Sequence, residues 1–265
     1  MAMWMAKNNM NENNFVILEH ERFATQFYYN SDTNIMGENL FRKFNLPQYA
    51  VMRRELAEKL YSLVPVLEHF HLKILFKDVL RFYEVQQYLY EHWKEKTGQE
   101  PGESLAKVEN SPHARGIAFD CVLTDENDAV IPLPSSSIRI RPEQRKPDYV
   151  FENTPEEKRK ERNRNFLRHL MLCAGISPIN KEWFHFQLPD MQHYPLVSVD
   201  DVRNAVLLPY NENEMQFSYY DIFHEYQHDI FEGKTAFWID NKQYFNQFEK
   251  IGVKEFIREL AGVMK

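Results

Sequence analysis

The sequence predicts an α+β fold: a small antiparallel sheet flanked by helices, with a helical C-terminal extension. Three observations point there. The apolar runs at 71–78 and 116–125 are strand-like, and DENDAVIPL after the second reads as a turn into a return strand. Stretches with helical spacing or clear helix ends lie around them, at 47–70, 82–98 and 154–174. The tail holds two aromatic-rich helical segments, 218–231 and 244–265, whose rings need burial against the main domain. The expected organisation is a disordered N-terminus over 1–14, a main domain over 15–198 and the extension over 199–265.

In order along the chain, NFVILEHERFATQFY reads as one or two short strands, and SDTNIMGENL as a loop rich in turn residues. Residues 47–70 space Val51, Leu56, Leu60 and Leu63 as a helix that starts at Pro47 and is kinked at Pro65. A buried strand ends near Asp78, and the helix after it stops at Gly98. Residues 99–112 form a loop with one helical turn. Residues 134–153 are irregular, and a loop of that length in a compact domain is expected to rim the site. Thr154, Pro155 and Glu157 supply cap, first position and third position of a helix that ends at Gly175. KEWFHFQL is the next strand.

Composition narrows the function. The chain has 265 residues, 43% of them hydrophobic, enough for a substantial core. A net charge of −7 with mixed signs excludes bulk attraction to nucleic acid or anionic membrane, and KRKERNR at 158–164 reads as a solvated helix face. The two cysteines, Cys121 and Cys173, make no disulfide framework and read as small buried hydrophobes. No apolar run reaches the ~18 residues of a membrane span. The first residues lack the apolar region of a secretory signal, so the default location is cytoplasmic, with the periplasm as the alternative.

Two stretches carry chemistry. SPHARGIAFDCVL places His113 and Asp120 around Gly116, and KEWFHF supplies Glu182 and His185. Two imidazoles and a carboxylate suit a catalytic zinc with one position left for water, and a second carboxylate suits a base for that water. Asp120 shares a strand face with Ala118 and Val122, where a carboxylate is costly unless it is paired or bound to metal. Taken singly, each residue is more simply a packed or solvated side chain, since buried polar groups usually just find partners.

The pattern S-x-H-x-x-G-x-A-x-D in SPHARGIAFD and E-W-x-H in EWFH resemble the D-alanyl-D-alanine dipeptidases of the VanX type and their zinc D,D-peptidase relatives. KDVLRFYEVQ resembles the family's D-x-x-R-P segment, and RFATQFYYNSDTNIMGENLF its N-terminal segment, so the likeness covers residues 16 to 198. The resemblance implies one zinc ion held by His113, Asp120 and His185. It implies Glu182 as general base and acid, and Arg81 as the group that stabilises the oxyanion. Ser111 and Asp78 are implied as substrate-binding residues, Asp78 through Arg81 or the substrate amine. Phe82 stands where the family has Pro, and Phe184 where it often has a second Trp.

HEYQH at 224–228 competes as an H-E-x-x-H pattern, with Glu249 as a third ligand. Three fixed positions match by chance in a few per cent of chains this long, against about one in ten thousand for the five-position motif. Asp229 directly after the second histidine also argues for a structural helix. The expected activity is therefore zinc-dependent hydrolysis of D-alanyl-D-alanine or a similar D-dipeptide. The alternatives are a D,D-carboxypeptidase or peptidoglycan-trimming hydrolase, and a non-catalytic zinc-binding protein. The expected partner is the small D-dipeptide, without nucleic acid or membrane; oligomeric state is left open.

Overall fold

The structure, a computed structural model, describes residues 15–101, 105–135, 154–203 and 207–211. The N-terminal 14 residues, most of the 134–153 loop, the HEYQH stretch and nearly all of the expected C-terminal extension lie outside the described residues.

A five-stranded sheet carries the fold, in the order β2 (Phe23–Thr25), β4 (Leu72–Asp78), β5 (Ala118–Asp125), β7 (His185–Gln187), β6 (Ser177–Pro178). β2 joins β4 in parallel, and the other three pairings are antiparallel. β4 and β5 are buried along nearly their whole length, as continuous apolar runs covered on both faces should be. Helices α2 (Arg54–Tyr61), α3 (Val64–His69) and α5 (Pro155–Cys173) supply Leu56, Leu60, Leu67, Leu167 and Met171 to the main core, against Phe76, Phe119 and Phe186 of the sheet.

A second core lies under α4 (Tyr83–Thr97), α1 (Leu40–Phe44) and α6 (Val199–Arg203). It takes in Leu80 and Phe82, the two neighbours of Arg81. Phe82 is 2% exposed, and that burial is worth about 1.5–3 kcal/mol. So the residue that stands where the family pattern has proline anchors this loop by packing. Phe184 is equally buried, edge-on to Trp183 at 5.5 Å, which makes the Trp-to-Phe departure a packing change.

One detail of β4 matters for the site. Phe76 pairs with Cys121, yet Asp78 pairs with Asp120, so the register shifts by one residue at Lys77. Asp78 thereby stands directly across from Asp120.

The structure corrects three local expectations. Residues 47–70 are not one helix from Pro47: Val51–Arg53 form β3, antiparallel to β1 (Phe15–Ile17), and the helix starts at Arg54. All three β3 residues are buried, so partner strand and packing override the helical spacing. Two helices follow, with Pro65 in the first turn of the second. The return strand after β5 is a single bridge, Thr124 to Val130. The strand read over 181–188 shrinks to 185–187, because Trp183 and Phe184 form a turn. Two helix ends match the reading: α4 ends at Gly98 in the left-handed region, and the Thr154 hydroxyl accepts from the Glu157 N–H at 3.2 Å.

Candidate metal centre

His113 opens a one-turn 3₁₀ helix, His113–Arg115, between Pro112 and Gly116. Ser111 is buried, and its hydroxyl accepts from the Ala114 N–H at 3.3 Å, fixing the start of that turn. Gly116 ends the turn at φ +70, the left-handed region that glycine enters without penalty. A Cβ there would sit 3.0 Å from the Phe15 ring. Gly116→Ala is expected to cost about 1–2 kcal/mol from the backbone alone, with more from displacing Phe15. Thermal denaturation should show a Tm lower by several degrees.

The turn is laced to the loop that carries Arg81. The His113 Nδ1–H donates to the Val79 carbonyl at 2.8 Å, and the Arg81 N–H donates back to the His113 carbonyl at 3.2 Å. Val197 fastens both sides: its N–H donates to Ala114, and its carbonyl accepts from Tyr83. Asp120 and His185 are register partners on β5 and β7, so the sheet itself delivers them to one place.

His113, Asp120 and His185 meet as a buried cluster, each 4% exposed. His113 Nε2 lies 3.2 Å from His185 Nδ1, which lies 3.0 Å from Asp120 Oδ1, and the third edge is 3.4 Å. Ligands about 2.0–2.2 Å from a tetrahedral zinc lie roughly 3.3–3.6 Å apart, so this triangle fits a zinc within a few tenths of an ångström. The donors also fit chemically. With the outer nitrogen of His113 donating to Val79, its inner nitrogen offers a lone pair toward Asp120, and such facing acceptors call for a cation.

Charge follows the same logic. Burial pushes the Asp120 carboxyl up, but the two histidines outweigh it and hold the group well below the usual carboxylate range. Burial pulls His185 down, yet its hydrogen bond to Asp120 and that group's charge, with Glu182 adding, raise it above the ordinary histidine value. Both shifts favour positive charge beside Asp120, which is what a bound metal ion would supply.

Glu182 is half-buried, three residues before His185; its carbonyl accepts from the His185 N–H at 3.4 Å. Its charge adds to the upward shift of His185, so the carboxylate is felt by that ring.

Arg81 is gripped on three sides. Its Nε donates to Asp78 Oδ2 at 2.9 Å, Nη2 donates to the same oxygen, and Nη1 donates to Gln86 Oε1 at 2.8 Å. Tyr29 lies under the guanidinium, 5.4 Å from ring centroid to Cζ. Gln86 is fully buried and held in turn by the Ala106 carbonyl at 2.6 Å. Burial would lower the Arg81 pKa, but the charges of Asp78 and Asp120 and the hydrogen bond to Asp78 more than offset it, so the group stays cationic. Burial raises the Tyr29 phenol above its ordinary value, keeping it neutral. These bonds use three of the five guanidinium hydrogens and, among the described residues, leave one on each terminal nitrogen.

The structure therefore brings His113, Asp120 and His185 together, and Glu182 lies three residues before His185 on the chain. Asp78 contacts Arg81 and not the cluster, while Ser111 braces the turn that carries His113. Tyr29, Gln86 and Gln187 were not singled out from sequence. Gln187 lies two residues from His185 on a strand, a spacing that puts both on one face; Gln86 and Tyr29 gave no such signal.

Fold and cluster together give an α+β domain built around two histidines and a carboxylate that could hold a metal ion. Residues 77–203 match the Peptidase_M15 family model, described as D-ala-D-ala dipeptidase. The chain is also 32% identical over 88 residues, 33% of its length, to the D-alanyl-D-alanine dipeptidase of Escherichia coli (strain K12). The match spans under half of that enzyme, 43% of its length. Among the described residues, no helix is long and apolar enough to cross a membrane.

Proposed function

We propose that the protein is a zinc-dependent peptidase that hydrolyses D-alanyl-D-alanine or a closely similar D-amino-acid dipeptide. The observation that carries this is the triangle of His113, Asp120 and His185, whose edges of 3.0–3.4 Å suit one zinc ion. The family match and the relative's name supply the substrate class.

The zinc, when bound, supplies a Lewis acid and lowers the pKa of water at neutral pH. His113 and His185 hold it through Nε2 and Nδ1, and Asp120 supplies the anionic ligand. Glu182 takes the proton released by the attacking water and passes it to the leaving amine, a role open to a half-buried carboxylate whose charge is felt by the His185 ring. The Arg81 fork meets the charge that develops on the carbonyl oxygen, and Asp78 with Gln86 hold it in place before that charge appears. Ser111 offers its hydroxyl proton near His113, and Asp78 acts on substrate through Arg81.

Release of free D-alanine from D-Ala-D-Ala, with and without a chelator, tests the proposal. L-Ala-L-Ala and an N-acylated peptide ending in D-Ala-D-Ala serve as comparisons. The expected result is zinc-dependent cleavage of the free D-dipeptide alone. Preferred cleavage of the N-acylated peptide would assign a D,D-carboxypeptidase instead, and no cleavage of any D-peptide by the zinc-loaded protein would overturn the reading.

A further inference from the structure

We propose that Gln187 is a positioning residue for the metal centre: its side-chain amide fixes the ring tautomer of His185 and so sets how tightly the site holds zinc. The inference rests on the reading of His113, Asp120 and His185 as ligands.

His185 uses both ring nitrogens. Nδ1 faces Asp120 Oδ1 at 3.0 Å, and Nε2 lies 3.1 Å from Gln187 Oε1. An amide oxygen only accepts, and a neutral imidazole has one donor and one acceptor. Gln187 therefore places the ring proton on Nε2 and leaves the Nδ1 lone pair aimed into the cluster. His113 is locked in the mirror sense, with Nδ1–H donating to the Val79 carbonyl and Nε2 facing inward. One lock is main chain and is indifferent to side-chain identity. The other is a side chain, so metal affinity can be tuned by changing that residue.

The platform under Gln187 is rigid. β7 lies between two strands, and Gln187 is the register partner of Ala118 on one side and Ser177 on the other. Residues two apart on a strand share a face, so the 185/187 spacing builds the contact without further support. Without the amide, Nε2 loses this hydrogen bond, and the ring is freer to populate the wrong tautomer and rotamer. Partners of this kind typically change metal affinity about 10–100-fold when removed.

The test is zinc affinity, measured by competition with a chromophoric chelator. Gln187→Ala and Gln187→Met are each expected to weaken zinc binding about 10–100-fold. Gln187→Glu keeps an acceptor at the same reach and is expected to hold affinity at or above wild type. Unchanged affinity in the Ala and Met variants overturns the proposal. So does equal loss in all three, since a merely structural role would not spare Glu. Should the Ala and Met variants fail to fold, the tautomer of His185 in the zinc-loaded wild type decides, read from long-range proton–nitrogen NMR. Protonation at Nε2 supports the proposal and protonation at Nδ1 overturns it. A wild-type protein that takes up no zinc overturns the ligand reading and this inference together, whereas a zinc-binding protein without peptidase activity leaves the affinity test intact.

Discussion

Glu182→Gln is expected to bind zinc as the wild type does and to lose D-dipeptide hydrolysis by about 10²–10⁴-fold, the usual contribution of a positioned acid–base group. The substitution keeps size and hydrogen-bonding capacity but cannot carry a proton from water to amine. The residue is half-buried at the entry to β7 and packs no core, so its loss should leave the fold in place. The check has two parts: metal content of the purified variant, and kcat with D-Ala-D-Ala. Loss of zinc along with activity would make Glu182 part of the metal-holding set. Full activity with zinc bound would remove it from the mechanism.

Arg81→Lys carries the second large effect, a fall of about 10²–10³-fold in kcat, as expected when an oxyanion donor is lost. Truncation to Ala would confuse the reading. Asp78 and Arg81 are an ion pair with side chains 6% and 10% exposed, and breaking such a pair by removing one partner costs about 3–5 kcal/mol. Lysine keeps the cation for Asp78 but is a point charge on a flexible stem. It cannot bond Asp78, bond Gln86 and still present a fork. KM should move little, because the interaction is realised in the transition state. A variant that loses only substrate affinity, with kcat unchanged, would make Arg81 a ground-state binding group.

The site was more legible in the sequence than the fold around it. His113, Asp120 and His185 sit in two short motifs, and their meeting needed only that two strands pair in register, which the alternation in GIAFD and the apolar FHF favoured. Glu182 stands in the second of these motifs, and Arg81 in a separate upstream segment, KDVLRFYEVQ. What failed was non-local. Val51–Arg53 look helical because their spacing continues that of Leu56 and Leu60. They become a strand because Phe15–Ile17, some 36 residues earlier, is there to pair with them. No local pattern holds that information. Gln86 was hidden for a related reason. Its value lies in joining the Ala106 carbonyl to Arg81, and a glutamine in the first turns of a helix reads as solvated until the loop that covers it is in place.

The one-residue shift in β4 has a further consequence. If the ladder continued unbroken from Phe76 and Cys121, Lys77 would stand opposite Asp120, and Asp78 would turn toward Phe119 and the core. An ammonium across from Asp120 would act as a built-in counter-ion. It would neutralise the carboxylate from within and compete with any divalent cation for it. The extra residue instead directs the Lys77 amine to the Gln26 side chain. Its place beside the cluster goes to Asp78, whose charge is already committed to Arg81. An irregularity of a single residue thus keeps the site's negative charge unspent for a metal.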